Sequence, residues 1–186
     1  MKLLCYGDSN TFGYDPRDFL GSRYDRENRW TDIVAAQTGH EIINAGQNGR
    51  EIPRRSFELE SIKELIDRHK PDLTVVMLGT NDLLQGADPD TVAARMEIFL
   101  QNLSTPLLLV APPPLQRGVW VPDDALVAAS RLLGEAYQQL AKRLQIPFAD
   151  SRDWEIALTF DGVHFSENGH RTFARNVIGQ WISKGE

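Results

Sequence analysis

Four short stretches of this chain hold residues able to do chemistry together. They are Ser9 in Gly7-Asp8-Ser9-Asn10, the glycines of Gly46-Gln47-Asn48-Gly49, Asn81 in Gly79-Thr80-Asn81-Asp82, and the pair in Asp161-Gly162-Val163-His164. Between them they supply a hydroxyl, a base, a carboxylate and neutral polar donors. A serine hydroxyl is a weak nucleophile until a neighbouring base accepts its proton. A carboxylate placed as Asp161 is, within one turn of His164, can reach the imidazole, fix its tautomer and stabilise the imidazolium. Each stretch also reads as ordinary structure: Asp8 and Ser9 as residues bonding a local turn, Gly-Thr-Asn-Asp as a turn, a lone histidine as a core residue. Their conjunction, one set per loop, is what accident does not readily supply.

The elements between these stretches predict how they meet. Leu3-Leu4-Cys5-Tyr6 is a short apolar run bounded by glycine, which reads as a buried first strand ending at Ser9. Glu41–Asn44, Asp72–Leu78, Pro106–Ala111 and Pro147–Ala149 read as four more. Helix signals begin only near Arg29. Core-facing spacing of three to four residues then appears in Trp30/Ile33/Val34, Leu59/Ile62/Leu65/Ile66 and Val92/Met96/Phe99/Leu100/Leu103. It recurs in Leu126/Leu133/Tyr137/Leu140/Leu144 and Phe173/Val177/Ile178/Trp181. Asp88-Pro89 introduces the third helix as cap and first-turn proline. Apolar strands alternating with helices predict an α/β fold, a three-layer α/β/α sandwich around a five-stranded, parallel, doubly wound, flavodoxin-like sheet. In the order 2-1-3-4-5 the loops after the strands open on one edge, where ligands bind in such sheets. The fifth strand then lies roughly 14 Å from the first, at about 4.8 Å per spacing. Residues 150–160 can span roughly 36 Å, ample to bring His164 to Ser9. Ser166 is the expected cap of the last helix, with Phe165 packed behind the histidine.

Composition bounds the rest. The chain has 186 residues, 41% hydrophobic and 25% charged, in keeping with a single domain over residues 1–186. A net charge of −6 argues against a nucleic-acid partner. Arg50, Arg54 and Arg55 form the one basic cluster, expected as a solvated turn and helix start. No apolar run approaches the roughly 20 residues that span a membrane, and Lys2 is followed by too few apolar residues for a signal peptide. A cytoplasmic location is therefore expected. Cys5 is the single cysteine and reads as a small buried hydrophobe.

The four stretches, in this order and at these spacings, resemble the SGNH hydrolases, also called the GDSL esterase family, over nearly the whole chain. Its blocks match at Ser9, Gly49, Asn81 and Asp161/His164. Arg29-Trp30-Thr31, Met77 through Asp82 and Val110 through Leu115 look most like the small bacterial arylesterase and acyltransferase group. The first block departs from the family in one letter: Asn10 stands where leucine is usual.

The resemblance implies a serine carboxylic-ester hydrolase with Ser9 as nucleophile, His164 as base and Asp161 as its orienting partner. The oxyanion hole would combine the backbone N–H groups of Ser9 and Gly49 with the side-chain amide of Asn81; Gly46 is the alternative to Gly49. No cofactor and no metal are implied. The expected partner is a small or short-acyl ester, with transfer to alcohols besides water and a tendency to form homo-oligomers. Asn10 and Trp120 are the candidate pocket residues. Trp120 lies in Pro112 through Pro122, a stiff apolar loop that reads equally as a pocket wall, an oligomer contact or a rigid connector. Asp8 and Asp82 are expected to be structural, and His40, His69 and His170 have no assigned role.

Rival readings remain at this stage. Gly-Asp and Gly-Thr-Asn-Asp also occur in metallophosphoesterase loops, but that chemistry needs several His and Asp ligands on two metals, and the chain has four histidines. A noncatalytic flavodoxin-like binding module would leave Ser9 and His164 dispensable; neither a phosphate loop nor a dinucleotide fingerprint supports nucleotide binding. A sugar-acetate deacetylase or a thioesterase would use the same site residues.

Overall fold

Successive side chains of a strand point to opposite faces, and this alternation organises the core. In the computed structural model, which describes residues 1–18 and 20–182, strand β1 (Lys2–Gly7) sends Leu3 and Cys5 into one apolar cluster and Leu4 and Tyr6 into another. Strands β2 (Glu41–Gly46), β3 (Leu73–Met77), β4 (Leu107–Val110) and β5 (Phe148–Ala149) complete the sheet. All pair in parallel, in the order β2-β1-β3-β4-β5, the doubly wound arrangement predicted from the sequence.

Helices cover both faces. Trp30 and Val34 of α2 (Trp30–Thr38) and Phe173 and Val177 of α7 (Glu167–Ile182) pack with Leu3, Cys5, Val75 and Val110. The side chain of Trp181 lies outside the described residues. On the other face, α3 (Ser56–His69), α5 (Pro89–Gln101) and α6 (Asp124–Leu144) bring Ile62, Met96, Phe99, Leu133 and Tyr137 against Leu4, Tyr6, Val76 and Leu109. Each such fully buried side chain contributes about 1.5–3 kcal/mol. Asp88 caps α5 as predicted, accepting from the Thr91 N–H at 2.9 Å with Pro89 in the first turn. Cys5 is buried, and burial pushes its thiol up to about 12, which makes it an inert core residue.

Two elements differ from the sequence reading. A one-turn helix, α1 (Ser9–Phe12), starts at the serine itself, well before Arg29. Asp8 caps it, accepting from the Asn10 N–H at 2.9 Å, and four residues are too few to display a helical period. A second short helix, α4 (Thr80–Leu84), likewise follows β3 directly. The second strand runs on to Gly46, pairing Tyr6 with Ala45 and Gly7 with Gly46. Among the described residues no helix is long and apolar enough to cross a membrane.

Candidate active site

The loops after β1 and β5 converge on a three-membered hydrogen-bonded chain. Ser9 sits at the first position of α1, where the strand ends. Its Oγ lies 3.0 Å from His164 Nε2, and His164 Nδ1 lies 2.7 Å from Asp161 Oδ2. The other oxygen, Oδ1, accepts the backbone N–H groups of Val163 at 2.8 Å and His164 at 2.9 Å. Burial pushes the Asp161 carboxyl up. The hydrogen bonds from the His164 ring and from the His164 and Val163 backbone together outweigh burial and bring it down to about 2. The carboxylate is therefore ionised at neutral pH, and Nδ1 carries the proton it donates. Nε2 is left as an acceptor for the serine hydroxyl.

The segment carrying His164 is built for this placement. Gly162 adopts φ +81°, and a Cβ there would come within 2.1 Å of the Gln116 carbonyl. That closeness lets the loop after β4 zip onto residues 160–162: Gln116 N–H donates to Gly162 O, Val119 N–H to Phe160 O, and Trp120 N–H to Asp161 O. The zipper lays the Trp120 ring edgewise on His164, centroids 5.1 Å apart. Tyr14, which the sequence reading passed over, approaches the same imidazole at 4.7 Å. Ser166 Oγ accepts from Gly169 N–H at the start of α7, as expected of a cap, and Phe165 packs on Phe173 and His170.

The candidate oxyanion donors lie in the loops after β1, β2 and β3. The first N–H of a helix has no acceptor within it, which leaves that of Ser9 unspent. Gly46 N–H is already bonded to Asn44 Oδ1 at 2.9 Å, so it has nothing to offer a ligand. Gly49 lies in an exposed turn at φ +71°, and its N–H has no acceptor among the described residues. The Asn81 amide donates one hydrogen to the Arg50 carbonyl at 3.0 Å and retains a second. Asn81 owes its place to Gly79, the cap of α4. At φ +117° a Cβ there would sit 2.6 Å from the Tyr137 hydroxyl.

Arg50 departs from the expected solvated cluster. Its guanidinium donates to the carbonyls of Gly7 (2.8 Å) and Ala45 and stacks 4.1 Å above the Tyr6 ring. It thereby ties the ends of β1 and β2 to the turn that holds Gly49. The Gly7 carbonyl also accepts the Gln47 N–H at 3.2 Å, and one guanidinium nitrogen of Arg50 reaches both strand-end carbonyls. Asp82 is structural, as expected. Fully buried, it accepts from Ile52 N–H and pairs with Arg95, both at 2.9 Å. Asp8 is equally buried, and burial pushes its carboxyl up to about 6, against the pull of the Asn10 N–H and of the His164 and Arg50 charges.

Asn10, a candidate pocket residue, spends its side-chain amide on the backbone around His164. It is 6% exposed, with Nδ2 donating to the Val163 carbonyl at 3.1 Å and Oδ1 accepting the Phe165 N–H at 2.8 Å. His170 is also buried in this region, packed against Tyr24 and Phe165. Burial, with Arg29 and His164 nearby, pushes it down to about 3.

A parallel doubly wound sheet with a Ser–His–Asp chain at its carboxyl edge defines a class of α/β serine hydrolases. Residues 5–172 match the model of the GDSL-like lipase/acylhydrolase family. The chain belongs to that family and is a serine ester hydrolase. Among solved structures it is similar to the native aryl esterase of M. smegmatis, with 25% identity, 98% of each chain covered and a TM-score of 0.82. It is similar also to a carbohydrate acetylesterase family member from Sinorhizobium meliloti, with 26% identity, 98% and 97% of the two chains covered and a TM-score of 0.81. Est24, a carbohydrate acetylesterase from the same organism, aligns with 26% identity, 98% of each chain covered and a TM-score of 0.78. The comparison with curated protein sequences finds no match.

Proposed function

We propose that the chain cleaves small, short-acyl esters through an acyl-enzyme on Ser9, with aryl esters as the preferred class. The carrying observation is the continuous chain from Ser9 Oγ through His164 to Asp161. Ser9 Oγ attacks the ester carbonyl as its proton passes to His164 Nε2. The oxyanion meets the N–H groups of Ser9 and Gly49 and the free hydrogen of the Asn81 amide. Collapse expels the alkoxide, which takes the proton from His164. Water then attacks the acyl group, giving its proton to His164, and Ser9 leaves protonated. An alcohol in place of water yields a new ester, which is the transferase branch of the same cycle.

Support for small aryl esters comes from the walls. Ser9 and His164 are only 6% and 3% exposed, and the rings of Tyr14 and Trp120 both pack on the imidazole. Such a site favours a flat, compact group. The resemblance to the M. smegmatis aryl esterase points the same way. A second reading, sugar acetates, is favoured by a polar groove of about 350 Å³ beside Gly49, lined by Gln47, Glu51, Arg54, Ser61 and the exposed Phe57 ring. Hydrolysis of p-nitrophenyl acetate, phenyl acetate and acetylated xylose by wild type and Ser9→Ala separates these. Aryl acetates should lead, and Ser9→Ala should lose activity with both kinds of ester. Full activity in Ser9→Ala would overturn the mechanism, and preference for the acetylated sugar would transfer the substrate class to the second reading.

A further inference from the structure

Asn10 spends all four of its polar atoms on a frame around His164. Its N–H donates to Asp8 Oδ1 at 2.9 Å and its carbonyl accepts the Trp30 indole N–H at 3.1 Å, which fix its backbone. Its amide then reaches across 153 and 155 positions of sequence to Val163 and Phe165, the residues on either side of the histidine. The Val163 carbonyl and the Phe165 N–H are both buried, and among the described residues Asn10 is the partner of each. Serine and asparagine are neighbours in α1, so the circuit closes on itself: Ser9 to Asn10, Asn10 to the backbone at 163 and 165, His164 back to Ser9. The leucine usual at this position in the family can neither donate nor accept.

We propose that Asn10 is a positioning residue that sets the reach of His164 Nε2 to Ser9 Oγ by clamping the backbone on both sides of the histidine. The proposal rests on the reading of His164 as the base. Apart from Asn10, each peptide flanking the ring is held by one bond, the His164 N–H to Asp161 and the His164 carbonyl to the Thr159 N–H at 2.8 Å, and can still pivot about it. The amide removes that freedom by fixing the peptide groups before and after the ring. A misplacement of about 1 Å at a reacting centre costs up to about 10²-fold in rate. The clamp touches neither substrate nor the reacting atoms, so its loss should appear in turnover and not in substrate binding.

The test uses Asn10→Leu, which restores the family's usual residue, and Asn10→Asp, which keeps the shape and the acceptor for Phe165 but loses the donor to Val163. With p-nitrophenyl acetate, kcat should fall about tenfold or more in Asn10→Leu, and less in Asn10→Asp, with KM held within about twofold. Phosphonylation of Ser9 by a small fluorophosphonate, followed by mass spectrometry of the peptide, should slow in the same order. Wild-type kcat and labelling rate in a folded Asn10→Leu would overturn the proposal. Failure of wild-type Ser9 to label at all would instead overturn the Ser9–His164 mechanism, so the two failures are distinct. Amide hydrogen exchange in the unmodified protein needs no variant to fold. The Phe165 N–H should be among the slowest exchangers of the 159–166 segment, and rapid exchange there would remove the clamp.

Discussion

The two sides of the candidate site are built on opposite rules. On the base side the groups that hold His164 are committed: both oxygens of Asp161, the amide and backbone of Asn10, the Val163 carbonyl and the Phe165 N–H. On the donor side the N–H groups of Ser9 and Gly49 and one hydrogen of Asn81 are left uncommitted. The uncommitted donors are still not loose, because Arg50, Asp82 and Arg95 hold their loops from behind. A base must keep one orientation through every step of the cycle, so partnering it fully costs nothing. A donor set for a transient oxyanion must be fixed but unspent, since a hydrogen bond already made inside the protein would have to break as charge develops.

This contrast predicts an order of effects. The largest belongs to the base side. Asp161→Asn keeps the shape but lets Nδ1 lose its proton to the wrong tautomer, and kcat should drop roughly 10⁴-fold. A drop within tenfold would mean that Asp161 serves the loop and not the ring. The pH profile sharpens the point. Asp161 stays ionised down to about 2, so loss of activity well above that pH does not come from protonation of Asp161. An acid limb that survives unchanged in an active Asp161→Glu variant fits this assignment, and one displaced to the carboxylate range does not.

The donor side should give less. Asn81→Ala removes one of three donors and should cost about 10²–10³ in kcat, or about 3–4 kcal/mol, with little change in KM. Because the same amide holds the Arg50 carbonyl, the loop after β2 should also gain mobility, visible as faster hydrogen exchange near Gly49. Unchanged kcat with a raised KM would recast Asn81 as a ground-state binding group.

Which parts could be seen from sequence follows the same division. Strand order, both helical layers, and the meeting of Ser9, Asp161 and His164 were legible, because apolar periodicity and residue type carry that information directly. For the proposed oxyanion donor, the choice between Gly46 and Gly49 was not. It turns on Asn44, whose side chain occupies one N–H and leaves the other, and a sequence does not state which way an amide points. Arg50 looked like a solvated cation because its neighbours are arginines; its partners are carbonyls of β1 and β2, which carry no letter of their own. Asn10 was visible as an atypical residue beside the serine, and the natural inference from its place was a pocket. Its partners lie at the far end of the chain, and only the crossing of residues 150–160 back to β1 brings them together.

The smallest effects separate two buried groups that flank the site and titrate in opposite senses. Asp8 is pushed up to about 6 from 3.8. Between those values the folded chain holds a proton that the unfolded chain lacks, so acidification through this window stabilises. His170 is pushed down to about 3 from 6.5. There the unfolded chain holds the extra proton, and acidification destabilises. Each slope is at most about 1.4 kcal/mol per pH unit, and from about pH 6 to about pH 4 the contributions of these two groups oppose each other and nearly cancel. Asp8→Asn, which keeps an acceptor for the Asn10 N–H, should lose stability over that interval in urea titrations. His170→Leu should gain it, whatever its absolute stability. The decisive quantity is the change of slope relative to wild type: a change of the same sign in both variants would mean that the fold does not hold Asp8 and His170 in opposite protonation balances.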